Sequence, residues 1–205
     1  NPVRDEIAAL PMPSERFVGR GFSPDNSQPL RLLVLGGSQG ARAINAAVPK
    51  VVARLGATRF DIRHQCGEKL LDDARAAYAQ AAAQASVEPF IADMAAAYGW
   101  ADLVIGRAGA LTIAELCAAG VGSVLVPFPG AVDDHQARNA EFLQERGGGD
   151  WLRQDAGLEA GLRQRLEKLA GDRAALLAMA TAARAAAFPQ AAQRVAEIAL
   201  EEAAA

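Results

Sequence analysis

From residue 31 onward, short apolar runs alternate with longer stretches of helical periodicity, and no other feature constrains the fold as tightly. "RLLVLGG" ends in two glycines and is followed by "ARAINAAVPKVVARLG", whose apolar residues recur at helical spacing up to a glycine stop. "RFDIRHQCG", "SVEPF", "ADLVIGR" and "GSVLVPFP" read as further strands, and "GDWLR" as an edge strand. Between them "EKLLDDARAAYAQAAAQA", "ADMAAAYGW", "LTIAELCAAG" and "DDHQARNAEFLQERG" read as helices, and the chain beyond the edge strand reads as helical to its end. Strands separated by helices pair in parallel through right-handed crossovers. Strands that are solidly apolar need cover on both faces. The expectation is an α/β fold: a Rossmann-like, doubly wound parallel sheet of about six strands, with ligands beyond the carboxyl ends of the strands.

Half of the 205 residues are apolar, enough for a substantial core in one domain with appendages. Residues 1–30, with Pro2, Pro11, Pro13, Pro24 and Pro29, read as an interdomain linker holding about one helical turn. Residues 31–187 form the domain and 188–205 a terminal helix. A net charge of −3 without a basic stripe argues against nucleic acid as a partner. No apolar run reaches the ~20 residues that span a bilayer, and no signal peptide is visible. Cys66 and Cys117 are far apart and outside any C-x-x-C spacing, so both are expected as buried, reduced thiols. The chain opens at Asn1 rather than at Met and is expected to be a piece of a longer protein.

Loops that follow strands carry the candidate chemistry. "GGSQGA", residues 36–41, lacks the G-x-G-x-x-G spacing, and no Lys-Ser or Lys-Thr follows Gly40 as a P-loop requires. It keeps what both motifs share: glycines that let backbone approach an anion, and a helix whose free N–H groups and positive dipole end point at it. Ser38 could add a hydroxyl donor; a ligand-free tight turn is the other reading. In "GRAGALTIAEL", residues 106–116, Thr112 is an N-cap candidate. Glu115 is expected in the first helical turn, either compensating the dipole or receiving the two hydroxyls of a ribose. In "PFIADM", residues 89–94, Phe90 reads as a core residue or a platform for a flat base, and backbone groups of Ile91 could meet the base edge. In "PFPGAVDDHQARNA", residues 127–140, Asp133 or Asp134 is expected as an N-cap, with His135, Gln136 and Asn139 adding polar density that folding does not need. No further ligands join these aspartates and His135 at a metal-binding spacing, so no metal is expected. His64 reads as a packed core histidine.

Taken together, "NPVR", "GGSQGA", "FIADMAAAYGWADLVIGRAGALTIAE" and "VPFPGAVDDHQARNA" resemble the carboxyl-terminal half of the MurG family, over the whole length of the chain. Those bacterial enzymes add N-acetylglucosamine to lipid I, giving lipid II for peptidoglycan. The resemblance implies one half of a GT-B glycosyltransferase, the half that holds UDP-N-acetylglucosamine. It implies donor contacts from Arg4 and Ser38 near the phosphates and from the Ile91 backbone to uracil. It further implies contacts from Ala110, Leu111 and Thr112 to phosphate and sugar, from Glu115 to the ribose hydroxyls and from Gln136 to the N-acetylglucosamine ring, with Ile113 and Ala114 also among the donor-binding residues. Some members carry Gln in place of His135 and Ser in place of Ala108. No cofactor or metal is implied.

The lipid acceptor and the general base would belong to an amino-terminal domain that precedes Asn1, so no catalytic residue is expected in this chain. Donor binding without turnover is the expectation for the chain alone. The whole protein is expected to be cytoplasmic and peripheral on the inner membrane. The terminal helix would cross back to the other domain, leaving Val195, Ile198 and Leu200 exposed or in contact with a second copy. Alternatives are a related GT-B transferase using another UDP-sugar, and a nucleotide-binding module without catalysis.

Overall fold

The structure, a computed structural model, describes residues 1–19, 28–37 and 41–203, apart from the side chains of Val132 and Glu202. The sheet is built from six parallel strands: β1 (Leu30–Leu35), β2 (Phe60–Gln65), β3 (Ser86–Glu88), β4 (Leu103–Gly106), β5 (Gly122–Leu125) and β6 (Gly149–Trp151). Their order is β3-β2-β1-β4-β5-β6. Chain direction across the sheet therefore reverses between β1 and β4, which places a ligand crevice beyond the carboxyl ends of those two strands. β1 sits mid-sheet, with Leu33 opposite Arg63 on one side and Val104 on the other.

Alternation along the strands divides the core. Leu32 and Val34 of β1 enter one apolar cluster, while Leu33 and Leu35 enter the other. The first cluster is closed by α3 (Arg42–Leu55), α4 (Leu71–Gln80), α8 (Leu158–Ala170) and α9 (Arg173–Ala185), through Ile44, Val48, Tyr78, Leu162 and Leu176. The second is closed by α5 (Met94–Trp100), α6 (Ala110–Ala119) and α7 (His135–Glu145), through Tyr98, Leu116 and Leu143. α10 (Ala191–Ala203) follows, with Val195, Ile198 and Leu200 exposed.

The first residues hold more structure than the single turn expected. α1 (Asp5–Ala8) and α2 (Pro13–Val18) are short, but both are docked on the domain. Ile7 and Phe17 are buried, one in each cluster. Arg16, also buried, donates to the Tyr98 carbonyl at 3.1 Å, to that of Ala119 at 2.9 Å and to that of Gly120. One guanidinium thus serves the C-terminal carbonyls of α5 and α6, groups that no helix can satisfy internally. Gly120 ends α6 in the left-handed region at φ 63°, and a Cβ there would press on Pro13 and Arg184.

Both thiols are free and buried, and burial pushes Cys117 up to about 11. His64 is a core histidine: its Nε2 lies 3.0 Å from Asn45 Oδ1, and its Nδ1 3.0 Å from the Tyr78 hydroxyl. Asn45 Nδ2 donates to the Cys66 carbonyl, so Oδ1 is the acceptor that faces the ring. The neutral ring therefore carries its proton on Nε2 and accepts from Tyr78 at Nδ1.

Candidate functional site

The loops after β1, β3, β4 and β5 converge on the crevice. After β1 the backbone turns at Gly36 and Gly37. Gly37 has φ 76°, and a Cβ on Gly36 would lie 3.0 Å from the Gln65 carbonyl and 3.1 Å from the Ala41 nitrogen. Ser38, expected as a donor to phosphate, lies outside the described residues, as do Gln39 and Gly40. The turn is held from the end of β2 by the buried Gln65 side chain. Its Oε1 accepts from the Gly37 N–H at 2.9 Å, and its Nε2 donates to the carbonyls of Gly37 at 3.1 Å and Pro89 at 2.9 Å. One amide thereby ties the glycine turn to the loop after β3.

In that second loop Ile91 is buried, while Phe90 is 70 % exposed. The core reading of Phe90 is corrected: its ring stands at the surface and Ile91 is the residue that anchors the loop. Asp93 caps α5, its Oδ1 accepting from the Ala96 N–H at 2.8 Å.

After β4 the chain passes Arg107, Ala108 and Gly109 into α6. Thr112 is not its N-cap; Gly109 is, and it offers no side chain to the helix end. The first helical N–H bonded inward is that of Ile113, to Gly109 O. The N–H groups of Ala110, Leu111 and Thr112 therefore end the helix without an internal acceptor, at the positive end of its dipole. Leu111 is exposed, Ala114 half-buried, and Ile113 turned into the core. Arg107 packs its guanidinium 5.4 Å from the Phe128 ring centroid and donates to the carbonyls of Val126 and Pro127 and to Gln154 Oε1. Asn139 Nδ2 donates to the Ala108 carbonyl at 2.9 Å, joining α7 to this loop.

Glu115 lies in the second turn of α6, not the first, so dipole compensation is not its use. It is 7 % exposed. Its Oε1 accepts from Arg4 Nη2 at 3.1 Å and its Oε2 from the Tyr98 hydroxyl at 3.0 Å. Two residues assigned to the donor by resemblance, Arg4 and Glu115, are thus in direct contact although 111 positions apart. Sequence reasoning missed Tyr98 and Gln65, since each sits in a segment that reads as helix core or strand.

After β5, Asp133 and Asp134 both adopt φ 51°; Asp134 stands at the N-cap of α7, as expected, but its side chain makes no capping hydrogen bond. Gln136 lies in the first turn of α7, and its Oε1 accepts from the Phe128 N–H at 3.0 Å. Among the described residues, no three His, Cys, Asp or Glu side chains are grouped to hold a metal ion. A separate, mostly apolar groove of about 560 Å³ lies between α1, α6, α7 and Phe188–Ala192; it shares Ala110 and Ala114 with the crevice edge but none of Arg4, Ile91, Glu115 or Gln136.

A 3-2-1-4-5-6 parallel sheet with a glycine turn after β1 and an uncapped helix N-terminus after β4, the two strands that flank the switch point, defines a Rossmann-like nucleotide-binding domain. The chain belongs to the glycosyltransferase family 28 C-terminal domain family, whose model matches residues 31–195.

The chain is 64 % identical over 203 residues to a Xanthomonas campestris pv. campestris (strain B100) protein named UDP-N-acetylglucosamine–N-acetylmuramyl-(pentapeptide) pyrophosphoryl-undecaprenol N-acetylglucosamine transferase. That match covers 99 % of this chain and 46 % of the relative. A Xylella fastidiosa (strain M12) protein of the same name is 56 % identical, over 98 % of this chain and 54 % of its own length. The chain thus spans about half the length of the curated relatives it matches. Among solved structures, Acinetobacter baumannii MurG superimposes with a TM-score of 0.82 at 39 % identity, over 94 % of this chain and 54 % of that one. The calicheamicin glycosyltransferase CalG4, at 24 % identity and a TM-score of 0.59, shares the fold.

Proposed function

We propose that this chain is the donor-holding half of an inverting transferase that moves N-acetylglucosamine from UDP-N-acetylglucosamine to lipid I. The observation that carries the reading is the buried Glu115 carboxylate at the switch-point crevice, with a guanidinium and a rigid hydroxyl already directed at it. Glu115 would take the ribose hydroxyls. The loop from Pro89 to Ile91 would take uracil, with the exposed Phe90 ring beside it. The N–H groups of Ala110, Leu111 and Thr112, the Gly37 turn and Arg4 would surround the diphosphate. Gln136 would read the sugar. The names of the relatives support the donor and the acceptor.

The chemistry follows from where charge develops. An acceptor hydroxyl attacks the anomeric carbon, the glycosidic C–O bond to phosphate breaks, and negative charge grows on the departing UDP. Fixed N–H donors and a helix N-terminus aimed at those oxygens stabilise that charge more in the transition state than in the bound donor. The acceptor surface and the base that removes the hydroxyl proton would lie in the part of the longer relatives that this chain does not span, at the cytoplasmic face of the membrane. Calorimetric titration with UDP, UDP-N-acetylglucosamine and NAD tests the assignment. The uridine ligands should bind and NAD should not; NAD binding without a response to UDP would overturn it.

A further inference from the structure

A carboxylate that is to receive a vicinal diol must present a fixed plane, yet the last torsion of a glutamate is broad and roughly two-fold. Glu115 is held by two partners of opposite character. Tyr98 is 1 % exposed, its ring locked in the core cluster, and its hydroxyl donates to Oε2. Burial, and then the neighbouring Glu115 charge, raise the Tyr98 hydroxyl well above its usual range, so it remains a donor at any working pH. Arg4 contrasts with it. Its side chain is 53 % exposed, it stands on the segment leading into the four-residue α1, and its single contact with Glu115 is at Oε1. A guanidinium that exposed is held in place only weakly by its one carboxylate contact. A carboxylate offers about four acceptor positions, of which Tyr98 and Arg4 fill one each.

We infer that Tyr98 is a positioning residue that fixes the Glu115 carboxylate for a ribose diol, and that Arg4 is an exchangeable partner which the diol displaces. Resting on the assignment of the crevice to a uridine donor, the inference adds an order of events to it. In the empty site Arg4 keeps Oε1 paired. An arriving diol takes over Oε1 while Tyr98 retains Oε2, and the released guanidinium is free to meet the anionic part of the same ligand. One cation thus serves the carboxylate before binding and the diphosphate after it.

The test titrates the chain and its variants with UDP, 2′,3′-dideoxy-UDP and uridine, with thermal unfolding in parallel. Tyr98→Phe removes one oxygen and keeps the ring. It should reduce the preference for UDP over the dideoxy analogue about five- to tenfold, within the net range of a single hydrogen bond, while affinity for the analogue itself stays the same. A merely structural tyrosine would weaken both ligands together, and that result, or an unchanged preference, overturns the inference. Arg4→Ala gives a second and independent reading. It should tighten uridine about two- to threefold, because no partner has to leave Glu115, and weaken UDP; weaker uridine binding would overturn the exchange even if Tyr98→Phe failed to fold. Glu115→Ala separates the levels. If it leaves the preference intact, the donor assignment fails and the inference with it; if it abolishes the preference while Tyr98→Phe does not, only the inference fails.

Discussion

Gln136 accepts from the Phe128 N–H through its side-chain carbonyl oxygen, which orients the amide and would leave its two N–H donors for the sugar proposed above. Gln136→Ala should therefore lower the preference for the gluco over the galacto form of the UDP-N-acetylhexosamine, with UDP itself bound as before. Competition titrations with the two donors measure it, and equal weakening of UDP would remove Gln136 from the sugar. His64 makes a prediction about stability instead. Burial lowers it from 6.5 to about 4, so between those values the unfolded chain binds a proton that the native chain refuses. Stability from this group is complete above about pH 6.5 and is lost as pH falls toward 4, by on the order of 3 kcal/mol. Urea denaturation at intervals across that window should show the decline, and His64→Gln should lack it. His64 was legible as a core residue because it sits in an apolar strand. Tyr98 was not, since a buried aromatic in "MAAAYGW" looks the same whether or not its hydroxyl serves a site.

Strands and helices were legible because burial imposes its period on each of them: β1 has five of its six residues buried, and α3 turns Ile44, Val48 and Val51 to one side. Residues 1–19 were less so. Their anchors, Ile7, Pro13, Arg16 and Phe17, are few and interrupted by prolines, too short a pattern for a period to emerge. The cap assignment failed at α6, where Gly109 rather than Thr112 stands at the N-cap, and held in position at α7, where Asp134 is the N-cap without a side-chain bond to the helix end. Two predictions belong to this scale. Arg16→Met would leave the carbonyls ending α5 and α6 buried without their donor, and should cost about 2–4 kcal/mol in urea unfolding. Gln65→Leu would release the Gly37 turn from the Pro89 loop. It should weaken UDP about tenfold with far-UV circular dichroism preserved, because phosphate and base would no longer be held at a fixed spacing. Unchanged UDP affinity would reduce Gln65 to packing.

For the whole molecule, every donor contact proposed above would lie on one side of a crevice, and the other side would come from the part of the longer relatives that this chain does not span. The strand order puts the loops after β1 and β4 at its centre, and Arg4, at the N-cap of α1, reaches Glu115 from the first residues of the chain. On the function proposed here, binding of the donor would need only these groups. Transfer needs in addition an acceptor held in line with the anomeric carbon and a base within hydrogen-bond reach of its hydroxyl. The relatives are about twice as long as this chain, which leaves room for both outside it. The 205-residue chain should therefore bind UDP-N-acetylglucosamine yet transfer no labelled N-acetylglucosamine to lipid I, under conditions in which a full-length relative does. Adding the remaining half of such a relative as a separate polypeptide should restore turnover, to the extent that the two halves associate. The exposed Phe188, Val195, Ile198 and Leu200 would offer that association an apolar surface on the terminal segment. Transfer by this chain alone, at a rate comparable to the full-length enzyme, would place the base among its own residues and end the division of labour proposed here.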